Sequence, residues 1–268
     1  MDKSKFADDI YTAEQLHCDV VKCEICGREK KFGKINLLGK DLYIPFYDCA
    51  CVEKLNAQEE DERIEQQRID TFNRFKHNSD LPTENKTFES WVNNEYTKLS
   101  ANCFNRYIDF LQDFKTTCKG MLVYGDAGCG KSHLSVALAT ELAQKGFEVV
   151  FKNVPKLFED IYSSFQNEDI NTYTILEPIL NAQVVILDDL GAEKITDFVK
   201  TKLYYIINSL YNSGATIIVT TNVRKVSDLS DIIGFRAYDR LLEMCNIVHN
   251  EGKSYRRYLA TKNFKEQR

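Results

Sequence analysis

The chain has 268 residues, 43% of them hydrophobic, and a formal net charge of -5 from 35 Lys and Arg against 40 Asp and Glu. Such a chain can build one large domain or a medium one with a smaller appendage, and its acidic balance excludes a general polyanion binder, leaving only local basic patches. The longest apolar runs, such as 184–187, are far too short to span a bilayer, and no apolar stretch follows Met1-Asp2-Lys3-Ser4-Lys5; a cytoplasmic protein with no membrane partner is expected.

The first chemistry-bearing residues are cysteines. Nine are many for a cytosolic chain of this length, and four fall in Cys23-Glu24-Ile25-Cys26 and Cys49-Ala50-Cys51. In C-x-x-C both sulfurs come off one tight turn, helped here by Gly27, and a second pair brought alongside completes a tetrahedral thiolate site for structural Zn²⁺. His17 or Cys18 can stand in for one ligand. Between the pairs, Ile35, Leu37, Leu42, Tyr43, Ile44 and Phe46 suffice for a small β-rich ribbon or treble-clef-like unit. Its core is too small to fold unaided, and structural zinc contributes on the order of 10 kcal/mol to such units. A disulfide pair, disfavoured in a reducing cytosol, and unpaired buried thiols are the alternatives. Four thiolates leave no open coordination position for water, so no catalysis is expected here.

Residues 53–80 are crowded with charge (Glu53, Lys54, Glu59, Glu60, Asp61, Glu62, Arg63, Glu65, Arg68) and lack Gly and Pro, which predicts an exposed helix. Ile69, Phe72 and Phe75 recur at helical spacing to anchor its end, and Asp80-Leu81-Pro82 stops it. The expected division is a cysteine-rich, zinc-binding module at 1–52, a charged helical linker at 53–86 and a nucleotide-binding domain at 87–268.

Gly125-Asp126-Ala127-Gly128-Cys129-Gly130-Lys131-Ser132 fits G-x-x-x-x-G-K-[ST] and follows the apolar run Met121-Leu122-Val123-Tyr124. The glycines let backbone N–H groups turn inward onto phosphate oxygens at a helix N-terminus. Lys131 then reaches the β and γ phosphates of ATP and the Ser132 hydroxyl ligates Mg²⁺, with His133 the next residue of the binding segment. Beyond it, apolar runs at 121–124, 148–152, 184–188, 215–220 and 245–249 alternate with amphipathic stretches, the pattern of a parallel α/β sheet.

Val184-Val185-Ile186-Leu187-Asp188-Asp189 delivers two acids at the carboxyl end of one strand, where open α/β sheets bind ligands. Asp188 is expected to hold Mg²⁺, and Asp189 takes the position from which a carboxylate polarises the attacking water. An Asp reaches less far than the commoner Glu. Ile217-Ile218-Val219-Thr220-Thr221-Asn222 ends the next strand with Asn222 placed as a sensor of the γ-phosphate. In Gly234-Phe235-Arg236-Ala237-Tyr238-Asp239-Arg240, the two arginines are four apart and face the same way. They either form surface ion pairs or are offered to a neighbouring subunit's phosphate. Arg256 follows the last strand and can reach back to the phosphates. Over 253–268 six Lys or Arg (253, 256, 257, 262, 265, 268) stand against Glu266, with Tyr255, Tyr258 and Phe264 between them, either a solvated tail or a single-stranded nucleic-acid contact.

Together these residues resemble the AAA+ ATPases of the DnaC/DnaI helicase-loader family, to which the IstB transposase helpers are close. The resemblance covers most of the chain: Leu81-Pro82, Thr87-Phe88-Glu89-Ser90-Trp91, the loop at 125–132, Leu187-Asp188-Asp189-Leu190-Gly191, Thr220-Thr221-Asn222, Arg236 with Asp239-Arg240, and Ser254-Tyr255-Arg256. It implies an AAA+ P-loop ATPase of the additional-strand class, a five-stranded parallel sheet with flanking helices, preceded by the small zinc module. By the same resemblance Arg240 is the trans arginine finger with Arg236 beside it, and Arg256 is the sensor 2 arginine. The implied partners are a hexameric replicative DNA helicase, contacted by 1–52 as a partner-interaction module, single-stranded DNA and further copies of the chain in an ATP-dependent oligomer. The rival readings are a transposase helper and a nucleotide-gated binding module with little turnover; a small-molecule kinase gives Asn222 and the arginine helix nothing to do.

Overall fold

The computed structural model describes residues 10–37, 40–47, 49–92, 94, 97–114, 119–165, 171–193 and 195–266. The opening residues 1–5, Cys118 and Arg268 lie outside them, as do the side chains of Leu37, Glu53, Phe264, Lys265 and Glu266. The chain forms two compact units, 1–66 and 67–268.

In the first unit, β1 (Ile10–Thr12), β2 (Lys30–Leu37) and β3 (Lys40–Tyr47) form an antiparallel sheet in that order. The β2–β3 hairpin pairs Phe32 with Pro45 and Ile35 with Leu42. Among the described residues, the buried apolar side chains of this unit are Ala13, Cys23 and Phe46, while Leu42 and Tyr43 are exposed. That is too little apolar area to hold a fold by burial alone. Helix α1 (Cys51–Asn78) starts on a cysteine of the second pair.

The second unit is built on a parallel sheet of β4 (Gly120–Tyr124), β5 (Val149–Asn153), β6 (Val184–Asp188), β7 (Thr216–Thr221) and β8 (Cys245–His249), in the order β5-β6-β7-β4-β8. All five expected strands are present, each within one residue of its expected bounds. Both faces of the inner strands are covered, so β4, β6 and β7 have nearly continuous apolar runs, whereas the edge strand β8 leaves Asn246, Ile247 and His249 exposed. Alternation along β6 sends Val185 and Leu187 to one core with α4 (Val154–Ser164), α5 (Thr172–Asn181), α6 (Asp197–Ser213), α7 (Asp228–Ile233) and α8 (Phe235–Met244). Val184 and Ile186 point to the other, with α2 (Ala101–Asp113) and α3 (Lys131–Gln144). Helix α9 (Tyr255–Glu266) closes the chain.

The end of α1 anchors differently from the expectation. Phe75 is 2% exposed and Phe72 packs beside it on the α3 core, but Ile69 is 46% exposed and the buried Thr71 takes its place. The following residues cover the sheet edge at β5: Asp80 N donates to Phe151 O (2.8 Å) and Phe151 N donates to Ser79 Oγ (3.0 Å). Asp80 is held in turn by Lys156 Nζ at 2.6 Å. A capped edge cannot pair with another chain. Replacing Phe75 by Ala is expected to cost about 3–5 kcal/mol of stability, read as a lower urea midpoint for unfolding of the second unit.

Candidate functional site

The phosphate loop links β4 to α3. Gly128 has φ +83 and a Cβ there would lie 2.5 Å from Ser254 Oγ; at Gly125 (φ +149) it would lie 2.2 Å from Asn250 O. Only glycine fits such a close approach with positive φ. The loop is braced from outside: Tyr255 N donates to Gly128 O (2.9 Å), and the buried Asn250 donates Nδ2 to Cys129 O (3.2 Å) while accepting from Ser100 Oγ (2.8 Å).

Lys131 is 4% exposed. Its Nζ donates to Gly125 O (2.8 Å), Asp126 O (2.9 Å) and Asn222 Oδ1 (2.7 Å). These acceptors satisfy an ammonium that phosphate oxygens can claim instead. Burial pushes the Cys129 thiol above its ordinary value and the Cys103 thiol up to about 12. Both are therefore neutral thiols rather than nucleophiles.

Asp188 and Asp189 close the far side. Asp188 is 4% exposed at the end of β6. Burial raises its carboxyl above the ordinary value and the charge of Asp189 adds to this, whereas hydrogen bonds from Thr220 and Ser132 lower it. Asp189 sits at φ +59, a left-handed conformation that costs a non-glycine residue about 1–3 kcal/mol and persists where neighbours over-determine it. Its N–H donates to Thr220 Oγ1 (3.0 Å) and its Oδ1 accepts from Asn222 Nδ2 (2.9 Å). Asn222 thus bridges Lys131 and Asp189. Its strand β7 lies between β6 and β4, which brings the tip between the two nucleotide motifs. The loop beyond is braced by Glu193, whose Oε2 accepts from Gly191 N at 3.0 Å.

A pocket of about 380 Å³ opens between these groups, lined by residues 127–133 of the loop with Asp189, Asn222 and Arg256. Gly125 and Asp126 face a smaller hollow of about 240 Å³ beside His249. A strap that sequence reasoning left unassigned forms the opposite wall of the larger pocket with Ser90, Trp91 and Val92. It is tied down by His133 Nε2, 2.8 Å from Thr87 O, and by the Trp91 ring 5.5 Å from the His133 ring. Thr220, Thr221 and Asn250 were also missed as positioning groups; for the two threonines, paired hydroxyls following the apolar run Ile217-Ile218-Val219 were the available signal. Arg236 and Arg240 lie on α8 and do not line the pocket. Arg236 is exposed. Arg240 donates Nη1 to Glu243 Oε2 (3.2 Å) and stacks its guanidinium 4.0 Å over the Tyr211 ring.

In the first unit, the ligand atoms of Cys23, Cys26, Cys49 and Cys51 all lie within 4.8 Å of one another. Sulfurs at about 2.3 Å from Zn²⁺ are separated by about 3.8 Å in a tetrahedron, so this set fits a tetrathiolate metal. The first pair sits on a knuckle: Cys23 N donates to Arg28 O (2.7 Å) and Gly27 N, at φ +72, to Cys23 O (2.8 Å). Backbone N–H groups of Cys26 and Ile25 lower the Cys23 thiol to about 7, while the hydrogen bond that Cys51 donates to Cys26, burial and Cys49 push Cys51 up to about 12. Crowded thiolates repel, and a divalent cation removes that conflict. Cys18 instead turns its thiol to Ala13 O at 3.6 Å, and neither it nor His17 belongs to the group. The eight described cysteines are free thiols.

A phosphate loop leading from β4 into α3, an acid pair at the end of β6 and a polar tip on β7, the strand between them, define a P-loop nucleotide-binding protein of the additional-strand class. The chain belongs to the IstB-like ATP binding protein family, which it matches over residues 47–263. It is similar to the replicative helicase loader DnaI of Bacillus subtilis (strain 168), 26% identical over 172 residues covering 63% of this chain and 51% of that protein. It is also similar to the replicative helicase loader DnaC of Escherichia coli (strain K12), 22% identical over 140 residues, 52% of this chain and 57% of that protein. The chain spans about half the length of these curated relatives. The crystal structure of the DnaC helicase loader shares the fold at a TM-score of 0.54 and 24% identity, covering 62% of this chain and 97% of that one. No described helix is long and apolar enough to cross a membrane.

Proposed function

We propose that this protein is an ATP-dependent loader of a hexameric replicative DNA helicase. The observation that carries the reading is the convergence of Lys131, Asn222 and Asp189 on one pocket, in a chain whose relatives include two helicase loaders. ATP lies along residues 125–133 with its phosphates on the backbone N–H groups at the start of α3. Lys131 leaves its carbonyl acceptors for the β and γ phosphates, and Ser132 with Asp188 holds Mg²⁺. Magnesium, when bound, neutralises charge on the phosphates. Asp189 accepts the proton of the attacking water, Asn222 orients that water, and Arg256 reaches in from α9 as the sensor 2 residue.

Arg240, with Arg236 beside it, serves the phosphates of a neighbouring copy. Its own pocket does not use it, and an ion pair to Glu243 with a stack on Tyr211 holds it ready. Substituting Arg240 by Ala is expected to leave ATP binding to isolated chains unchanged and to lower turnover in the assembled protein by about 10³-fold or more. The check is turnover against protein concentration for both forms, with thermal melting to confirm that the fold survives.

In this reading residues 1–52 form the module that grips the helicase, folded around zinc on Cys23, Cys26, Cys49 and Cys51, with 53–86 as linker and 87–268 as ATPase. Single-stranded DNA is assigned first to an exposed aromatic patch. Tyr162 and Phe165, 41% and 59% exposed, end α4 with their rings 5.5 and 5.6 Å from that of Phe198 at the start of α6, where Lys202 Nζ stands 5.8 Å over Phe198. Aromatic faces beside a cation suit sequence-tolerant stacking of bases. The basic C-terminal segment contributes less, because Tyr255 and Arg256 at its start line the nucleotide pocket. The family match also favours a transposase helper with the same ATPase; the four-cysteine module weighs against it.

The test is transfer of a hexameric helicase onto circular single-stranded DNA, which a closed ring cannot thread. Retention on the circle only with this protein and ATP supports the loader. Retention that is the same without the protein overturns it.

A further inference from the structure

Thr220 is the penultimate residue of β7 and is fully buried. Its hydroxyl accepts from Asp189 N (3.0 Å) and donates to Asp188 Oδ1 (2.6 Å). The direction of both bonds is forced, because a backbone N–H can only donate and the hydroxyl has a single proton to give to the carboxylate. The same short segment is gripped by its neighbours: Leu190 N donates to Thr220 O (2.9 Å) and Thr221 Oγ1 donates to Leu190 O (2.7 Å). Asp189 stands at φ +59 inside this grip, and strain of that kind persists only where several contacts fix it.

We propose that Thr220 is a positioning residue that sets both acids at once, committing one oxygen of Asp188 to its hydroxyl so that the other faces the metal, and pinning the backbone turn that aims Asp189 at the γ-phosphate. The proposal rests on the ATP and Mg²⁺ reading of the pocket. It explains why a buried hydroxyl stands beside the Asp188 carboxylate at the end of a strand whose middle residues, Ile217, Ile218 and Val219, are apolar. The two acids are adjacent in sequence but point to different jobs, and a single buried hydroxyl between them ties the metal ligand and the water-activating group into one unit. Asn222 then acts on the Asp189 side chain while Thr220 acts on its backbone.

Valine has nearly the shape of threonine and suits a strand, so Thr220→Val removes the hydroxyl with little change in packing, and Thr220→Ser restores it. Thr216→Val is the control, since Thr216 is a buried threonine at the opposite end of the same strand, beside Val184. Trp91, the chain's single tryptophan, lines the pocket, so its fluorescence reads binding of ADP or a non-hydrolysable ATP analogue without turnover. In Thr220→Val the Mg²⁺ concentration giving half-maximal tightening of nucleotide binding is expected to rise about tenfold, as loss of a hydrogen bond to a charged group implies. Binding without Mg²⁺ stays as in the wild type. Its kcat for ATP falls about tenfold or more at saturating Mg²⁺ while KM is unchanged. Thr220→Ser recovers both values and Thr216→Val alters neither. A Thr220→Val protein with lower melting temperature but wild-type Mg²⁺ dependence and kcat overturns the proposal, leaving Thr220 a packing residue. A wild-type chain that binds no nucleotide overturns the reading of the pocket beneath it, and the two failures are told apart by that control.

Discussion

Replacing Lys131 by Ala is expected to weaken ATP binding by about 10²- to 10⁴-fold and to abolish turnover. The loss reflects the bonds that the ammonium makes. Hydrogen bonds to charged groups contribute about 1.5–3 kcal/mol each, and two phosphate contacts at that scale amount to two to four decades at about 1.4 kcal/mol per decade. In the structure Lys131 is nearly buried and saturated by Gly125 O, Asp126 O and Asn222 Oδ1. The first two are carbonyls of the loop itself, so its side chain already lies along the path of the phosphates. The third couples it to Asp189 through Asn222, so the substitution also frees Asn222 from one of its anchors. Calorimetric titration with a non-hydrolysable ATP analogue checks the binding figure. Affinity that survives the change intact removes Lys131 from the phosphates and with it the assignment of the loop.

The second large effect concerns the front unit. Cys23→Ser combined with Cys26→Ser, or extraction of the metal by a strong chelator, is expected to unfold β1, β2 and β3 while nucleotide binding stays within about twofold of wild type. Structural zinc contributes on the order of 10 kcal/mol or more to folding of small units. Here it has little to supplement, because the buried apolar side chains described in this unit are Ala13, Cys23 and Phe46. Serine keeps the size of the side chain but supplies no thiolate. Hydrogen exchange on β2 and β3 gives the readout, alongside zinc content per chain. Strands that stay protected after the double substitution contradict a metal-held unit.

The strands of the second unit were legible because each carries a short apolar run, unbroken from Val184 to Leu187 in β6, and Asp188 with Asp189 and the glycines of the phosphate loop carried their chemistry in local spacing. What local spacing cannot carry is convergence. Asn250 braces Cys129 across 121 residues and Ser100 bonds Asn250 across 150; a lone Asn or Ser in a loop gives no period to read. Residues 87–91 of the strap were recognised as part of a family resemblance, yet their place against the loop depends on Trp91 packing over Gly130 and His133 reaching Thr87. Ile69 fitted the helical spacing of Phe72 and Phe75 but turned outward, since the face presented to the core is set by what lies opposite: Glu148, within 3.5 Å of Thr71 Oγ1 and ion-paired with Arg74, meets the helix there. In the front unit the cysteine spacing announced a four-thiol group, whereas β1, only three residues long, has no pattern of its own and exists by pairing with β2.

ATP hydrolysis by the purified protein in Mg²⁺, without and with a homopolymeric thymidine oligonucleotide, tests the central claim most directly. A slow basal rate that rises several-fold with the oligonucleotide and vanishes in Lys131→Ala is the predicted result; turnover that is absent in both conditions, or present and indifferent to the oligonucleotide, contradicts a DNA-gated loader ATPase.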